Sequence, residues 1–156
     1  MKTKELVLIA LMIALSVILS YVKIPSPTGS VALDALPAFA LAGILGPVAG
    51  GVVGLFGHLA TAANSGFGLG IILHLVIAVS MFISAYSFGA FYKKGQYVIA
   101  VLIGILTNVC LSLPFVAYFI GTSIVVAILP GLIVGAIINV VLGFIIIEPI
   151  KKSINL

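Results

Sequence analysis

The sequence predicts an all-α integral membrane protein of six transmembrane helices, with a short second helix and a lid-like first outer loop. Three observations predict it. Ten of the 156 residues are charged, whereas folded soluble chains keep roughly a quarter of theirs charged to face water. Apolar residues make up 63% of the chain, and its mean hydropathy is +1.47. Six of the seven lysines, Lys2, Lys4, Lys93, Lys94, Lys151 and Lys152, fall where an even number of crossings returns to one side. Positive charge is retained on the cytoplasmic face, so both termini are expected there and Lys23 outside. At about 20 residues per crossing the length suits five to seven spans in a single domain over residues 1–156. Five or seven would split the lysine clusters.

The first helix is expected from about Lys4 to Val22, ending at Lys23-Ile24-Pro25-Ser26-Pro27-Thr28-Gly29, where two prolines and a glycine cannot continue it. Its apolar run from Leu6 to Val22 is long for a signal core and lacks a small-x-small site, so it reads as a mature helix. The second is expected from Asp34, whose carboxylate caps the first turn, to Gly46-Pro47. It is short: Asp34 to Leu45 covers about 18 Å, against a hydrocarbon core of roughly 30 Å. Either it is tilted and submerged in protein, or the loop before it dips inward. Both options put Lys23–Leu33 over the outer mouth as a lid. The third helix runs from Val48 to about Asn64, and the fourth follows the turn Ser65–Gly70 and ends at Tyr92. The fifth covers Tyr97 to Tyr118 with a bend at Pro114, and the sixth covers Thr122 to Ile147 with an interruption at Pro130-Gly131.

Nine of the seventeen glycines lie between Gly43 and Gly70. Gly50, Gly54, His58 and Thr61 share one face of the third helix, Ala100, Gly104, Asn108 and Ser112 one face of the fifth, and Gly131, Gly135, Asn139 and Gly143 one face of the sixth. These small-residue stripes predict three helices packed closely around a polar centre. An imidazole or amide in hydrocarbon must bond to a neighbour, water or a ligand. His58, Thr61, His74, Asn108, Asn139 and Asp34 are therefore the candidate substrate-binding residues. The bland alternatives are interhelical glue for the two asparagines, an interface position for His74, and a helix cap for Asp34 or Asn64.

Several classes of function lack their residues. There is no HExxH, no GxSxG, no P-loop and no pair of intramembrane carboxylates, so the chain is expected to be no enzyme and to carry no cofactor of its own. His58 and His74, without acidic or cysteine partners in sequence, make no metal site, and the lone Cys110 has no partner for a disulfide. The lysines are dispersed pairs rather than a basic stripe, which argues against nucleic acid. A polar cavity with a lid and no energy source points to energy supplied by a partner. On the first helix Ala10 and Ala14 lie one turn apart, with Ser16 and Ser20 roughly opposite, so one face can pack inward while the other admits a neighbouring helix.

Taken together, the six-helix pattern, the Ala10-xxx-Ala14 face and the long outer loop before a short second helix resemble the substrate-binding S components of energy-coupling-factor (ECF) vitamin transporters. Within that family Ile24-Pro25-Ser26-Pro27-Thr28-Gly29, Ala32-Leu33-Asp34 and Gly57-His58-Leu59-Ala60-Thr61-Ala62 look most like the transporters of alpha-ribazole, a cobalamin precursor. The resemblance implies a multi-pass protein of a prokaryotic cytoplasmic membrane that binds its vitamin from outside under a gated loop. It implies docking through Ala10 and Ala14 on a transmembrane coupling subunit driven by two cytoplasmic ATPases, with ATP used by those partners. His and Asn would bond the ribose hydroxyls, while Phe and Tyr would stack the benzimidazole. Riboflavin, pantothenate and pyridoxine-type ligands remain open, as do a self-sufficient oligomeric carrier and a structural membrane subunit.

Overall fold

The computed structural model describes residues 2–26 and 29–153, with backbone alone at 24–26 and 29–31. The elements in chain order are α1 (Thr3–Leu19), β1 (Lys23–Ser26), β2 (Gly29–Ala32), α2 (Leu36–Ile44), α3 (Pro47–Asn64), α4 (Ile71–Lys93), α5 (Tyr97–Cys110), α6 (Leu113–Phe119) and α7 (Thr122–Ser153). Among the described residues three stretches are long and apolar enough to cross a membrane: α4, the α5–α6 arm from Tyr97 to Phe119, and α7.

The first outer segment differs from the loop its Pro, Ser and Gly content suggests. β1 and β2 pair antiparallel, Lys23 opposite Ala32 and Ser26 opposite Gly29, so the extended backbone satisfies its own polar groups. Pro27 and Thr28, part of the expected lid, lie outside the described residues. The other departures concern prolines. The fifth helix is divided at Leu111–Ser112, and Pro114 occupies the first turn of α6, where its missing N–H costs nothing. α7, by contrast, runs unbroken through Pro130 and Pro149 to Ser153, so the interruption expected at Pro130-Gly131 is not found. An internal proline removes one ladder bond, which a helix of 32 residues packed on its neighbours absorbs.

At the centre sits α2, and all nine of its residues are buried. It spans only about 13 Å, a length unable to cross a bilayer, and it is encased by α1, α3, α4 and α7. Gly50, Gly54, Gly104 and Gly143 of the three stripes pack on α2 and α4, and Gly104 also meets Val140 of α7. A Cβ at Gly54 of α3 would lie 2.8 Å from the Met81 carbonyl oxygen of α4, and one at Gly143 of α7 would lie 2.9 Å from Phe39 Cβ of α2. Phe39 is wholly buried and meets Phe88 edge-on at 5.5 Å. On α1 the serine face turns inward, Ser16 being 1% exposed, while Ala10 and Ala14 face outward.

The start of α2 corrects the cap expected from Asp34. The helix begins at Leu36, and its first free amides are capped from across the bundle. Asn139 Oδ1 of α7 accepts the Ala35 N–H at 3.1 Å and the Leu36 N–H at 2.8 Å. Its Nδ2 donates to the Ala32 carbonyl at the foot of β2 and to the Gly135 carbonyl, each at 2.9 Å. One buried amide thus holds the hairpin and α2 against α7. At the opposite end, where α2 and α4 stop, Lys93 Nζ donates to the Ile44 carbonyl at 3.2 Å, supplying a cation at the negative end of α2. Nearby, the Tyr92 hydroxyl and Lys151 Nζ both donate to Glu148, at 2.9 and 3.1 Å.

Asn139→Leu keeps the branching at Cγ and deletes four hydrogen bonds, taking the side-chain acceptor from the Ala35 amide and leaving the buried Leu36 amide only its long contact to the Leu33 carbonyl at 3.4 Å. The expected loss is about 2 kcal/mol or more, read as a lowered melting temperature in detergent; an unchanged melting temperature would refute the clasp. Gly54→Val drives a side chain into the α4 backbone and is expected to cost about 1–3 kcal/mol by overpacking, measured in the same assay.

Candidate binding site

Beneath the hairpin two chambers adjoin, sharing Ala32, Asp34 and His58 as their common wall. The outer one, of about 490 Å³, is bounded by the ends of α1 and α3, the α3–α4 turn and His74. Its polar groups are Ser20, Lys23, Asp34, His58, Thr61, Ser65 and His74. The inner one, of about 350 Å³, reaches between α4, α5 and α7 and is walled by Ile77, Met81, Ile128 and Leu132. Asn108, Ser112 and Asn139 supply its polar groups. Every candidate residue named from the sequence thus borders this cavity: Asp34 and His58 both chambers, Thr61 and His74 the outer, Asn108 and Asn139 the inner.

Their hydrogen bonding differs. Asn139 spends its amide on the backbone, as described above, and is a positioning residue for the roof. Asn108 has Met81 Sδ as the partner of its Nδ2 at 3.6 Å, and a thioether is a weak acceptor. His58 Nε2 lies 3.2 Å from His74 Nδ1, bridging α3 to α4. One ring must donate and the other accept, so at least one of the two is neutral while the bond holds. Thr61 Oγ1 is 2.9 Å from the His58 carbonyl and 3.4 Å from Asp34 Oδ2. A hydroxyl has one proton, and the shorter contact to the carbonyl competes for it. Asn64, at the end of α3, donates through Nδ2 to the Tyr21 hydroxyl at 2.7 Å, tying α3 to the chain just beyond α1.

One feature escaped the sequence reading, and another was read only as part of a small-residue stripe. Phe67, in the α3–α4 turn, has φ 50°, the left-handed region that a non-glycine residue adopts at a cost. That conformation goes with an edge-on contact to His74 at 5.6 Å between ring centroids, so the turn packs against the imidazole pair. Ser112 lies one turn beyond Asn108 on the same stripe, a spacing visible in sequence, and it faces the inner chamber. The aromatic stacking expected of the cavity takes another form. Among the described lining residues there is no Phe or Tyr, and the flat surfaces on offer are the two imidazoles and the apolar wall around Met81.

The arrangement can enclose a small amphiphile with an apolar end held inward and hydrogen-bonding groups held near the hairpin. No group of three or more metal-ligating side chains occurs among the described residues. The family model of the ECF-type riboflavin transporter S component matches residues 1–156. No curated protein and no solved structure matches the chain. A helical membrane protein with a cavity under a hairpin, matched by that model from end to end, belongs to the S-component family of ECF-type riboflavin transporters.

Proposed function

We propose that the chain is the substrate-binding subunit of a vitamin uptake system, and that it takes alpha-ribazole from the hairpin side. The observation carrying this reading is the convergence of Asp34, His58, Thr61, His74, Asn108 and Asn139 on one two-chambered cavity beneath the hairpin. The benzimidazole fits the apolar inner chamber, and the ribose hydroxyls meet Asp34, Thr61 and the imidazole pair at the neck and in the outer chamber. The second reading is riboflavin, favoured by the description of the matching family. It offers the same design, a fused ring carrying a hydroxylated arm. Pantothenate and pyridoxine-type ligands lack that combination.

The topology that suits this function has six passages, α5 and α6 together forming one, and the short buried α2 forming another together with the chain that leads into it from the hairpin. Both termini, with Lys2, Lys4, Lys93, Lys94, Lys151 and Lys152, lie in the cytoplasm of a prokaryotic cell, and Lys23 lies outside. Residues 1–156 act as one domain. The chain carries no cofactor; its partners are a transmembrane coupling subunit and two cytoplasmic ATPases, which use the ATP. The outward-facing Ala10 and Ala14 on α1 suit close approach by a coupling helix.

Calorimetric titration of the purified chain with alpha-ribazole and riboflavin is expected to give one-to-one binding of one of them. His58→Ala is expected to weaken that binding by about tenfold or more. A folded protein that binds neither would sink the ligand assignment, and uptake into liposomes by the chain alone would favour a self-sufficient carrier. Ala14→Phe is expected to leave ligand affinity within about twofold and to abolish ATP-dependent uptake when the chain is reconstituted with its coupling subunit and ATPases, because a large ring blocks close helix approach. Uptake at the unsubstituted rate would remove α1 from the interface.

A further inference from the structure

Charge in the cavity is sparse and unevenly placed. Among the described residues Asp34 is the one carboxylate lining either chamber, and it borders both. It stands at the neck where the two chambers meet, and a ligand spanning both would lie against it. Its Thr61 contact is long at 3.4 Å, and the same hydroxyl lies closer to the His58 carbonyl. The adjacent Ala35 amide is directed at Asn139 Oδ1. The Asp34 and Ala35 amides also lie within reach of the carboxylate; with about four acceptor sites on its two oxygens it keeps capacity for a ligand donor, and when ionised it can only accept. The other titratable groups around it are His58, His74 and Lys23, and Lys23 is exposed on the outer chamber, where water screens its charge.

We propose that Asp34 is a specificity-determining residue that selects ligands presenting a hydroxyl or N–H donor at the neck and rejects anionic ones. This rests on the reading of the cavity as a vitamin site. A neutral diol replaces water on the carboxylate with donors. An anionic ligand must either meet like charge in a poorly hydrated neck or bring a proton in with it, and both weaken binding at neutral pH. The selected class is a neutral or cationic ring compound with a hydroxylated arm, and phosphorylated or carboxylated relatives are excluded.

The test uses matched pairs: alpha-ribazole against its phosphate ester, and riboflavin against flavin mononucleotide, titrated into the full chain at neutral pH. The neutral member of the bound pair is expected to bind at least about tenfold more tightly than its phosphate. Asp34→Asn is expected to weaken the neutral ligand and to narrow that ratio severalfold, while Asp34→Glu, which keeps the charge, preserves the ratio even if both affinities fall. The Glu variant keeps the test decisive if the Asn variant fails to fold. Equal affinities within a pair, or a ratio that Asp34→Asn leaves unchanged, would overturn the proposal while leaving a vitamin-binding subunit intact. Absence of binding by all four compounds to folded protein would overturn the vitamin reading and this one with it.

Discussion

The fold depends on how a helix too short to cross a bilayer is kept inside one. The nine residues of α2 are all buried, and their free terminal groups have no water to turn to. Asn139 meets the amides at one end and Lys93 meets the Ile44 carbonyl at the other. Between these two contacts α2 needs no polar residue of its own, so its sequence, Leu-Pro-Ala-Phe-Ala-Leu-Ala-Gly-Ile, can be given wholly to packing. The glycines around it follow from that choice. Gly143 leaves room for the Phe39 Cβ, and a Cβ at Gly104 would sit 3.4 Å from the Phe39 ring. The result is a single aromatic plug held on several sides by helix backbones.

The same asparagine joins the core to the roof of the cavity. Its amide reaches both the Ala32 carbonyl at the base of the hairpin and the first turn of α2, and it borders the inner chamber. The foot of the hairpin is thereby pinned, whereas Ser26 and Gly29 are held through ladder pairing. Polar groups then divide by task. Asn139 and the Ser84–Thr107 pair bond to backbone or to each other, Ser84 donating to the Gly104 carbonyl at 2.9 Å and Thr107 donating to Ser84 at 3.0 Å. Asp34, Asn108 and the imidazoles line the cavity, with a long contact to Thr61, a thioether contact and a mutual contact respectively.

Much of this was legible in the sequence because its signals are local. Lysine spacing and apolar runs gave the helix boundaries to within a few residues for α1, α3 and α4, and the helical spacing of His58, Thr61, Asn108 and Asn139 marked residues that border one cavity. What was not legible depends on partners distant in the chain. Asn139 lies 103 residues from the amide it caps most closely, so the cap was assigned to nearby Asp34 instead. The pairing of β1 with β2 was hidden by a composition that reads as loop. The stripes were expected to surround a polar centre, and their polar members do border one cavity; sequence shows which face is small but not which helix fills it, and α4 fills the space at Gly54 and α2 that at Gly143. Pro114 and Pro130 look alike in sequence. One begins a new helix and the other lies within a continuous one, a difference set by the surrounding packing.

The cavity opens toward the hairpin, and the packing beneath it bears on how a bound molecule could cross. Below the inner chamber lie Phe39, Phe88 and Val140, each 0% exposed, and then the Tyr92–Glu148–Lys151 cluster. An internal passage toward the lysine end would have to part Phe39 from the helices it plugs. Burying a large side chain stabilises a fold by about 1.5–3 kcal/mol in water, and in hydrocarbon the cost of parting is lost close packing and exposed backbone at the glycine contacts. Both ends of α2 would have to release their caps for the same movement. Keeping α2 seated and moving the bundle as a body leaves all of these contacts intact. On the outside of that body, α1 presents the small exposed residues Ala10 and Ala14, which leave its backbone open to close approach.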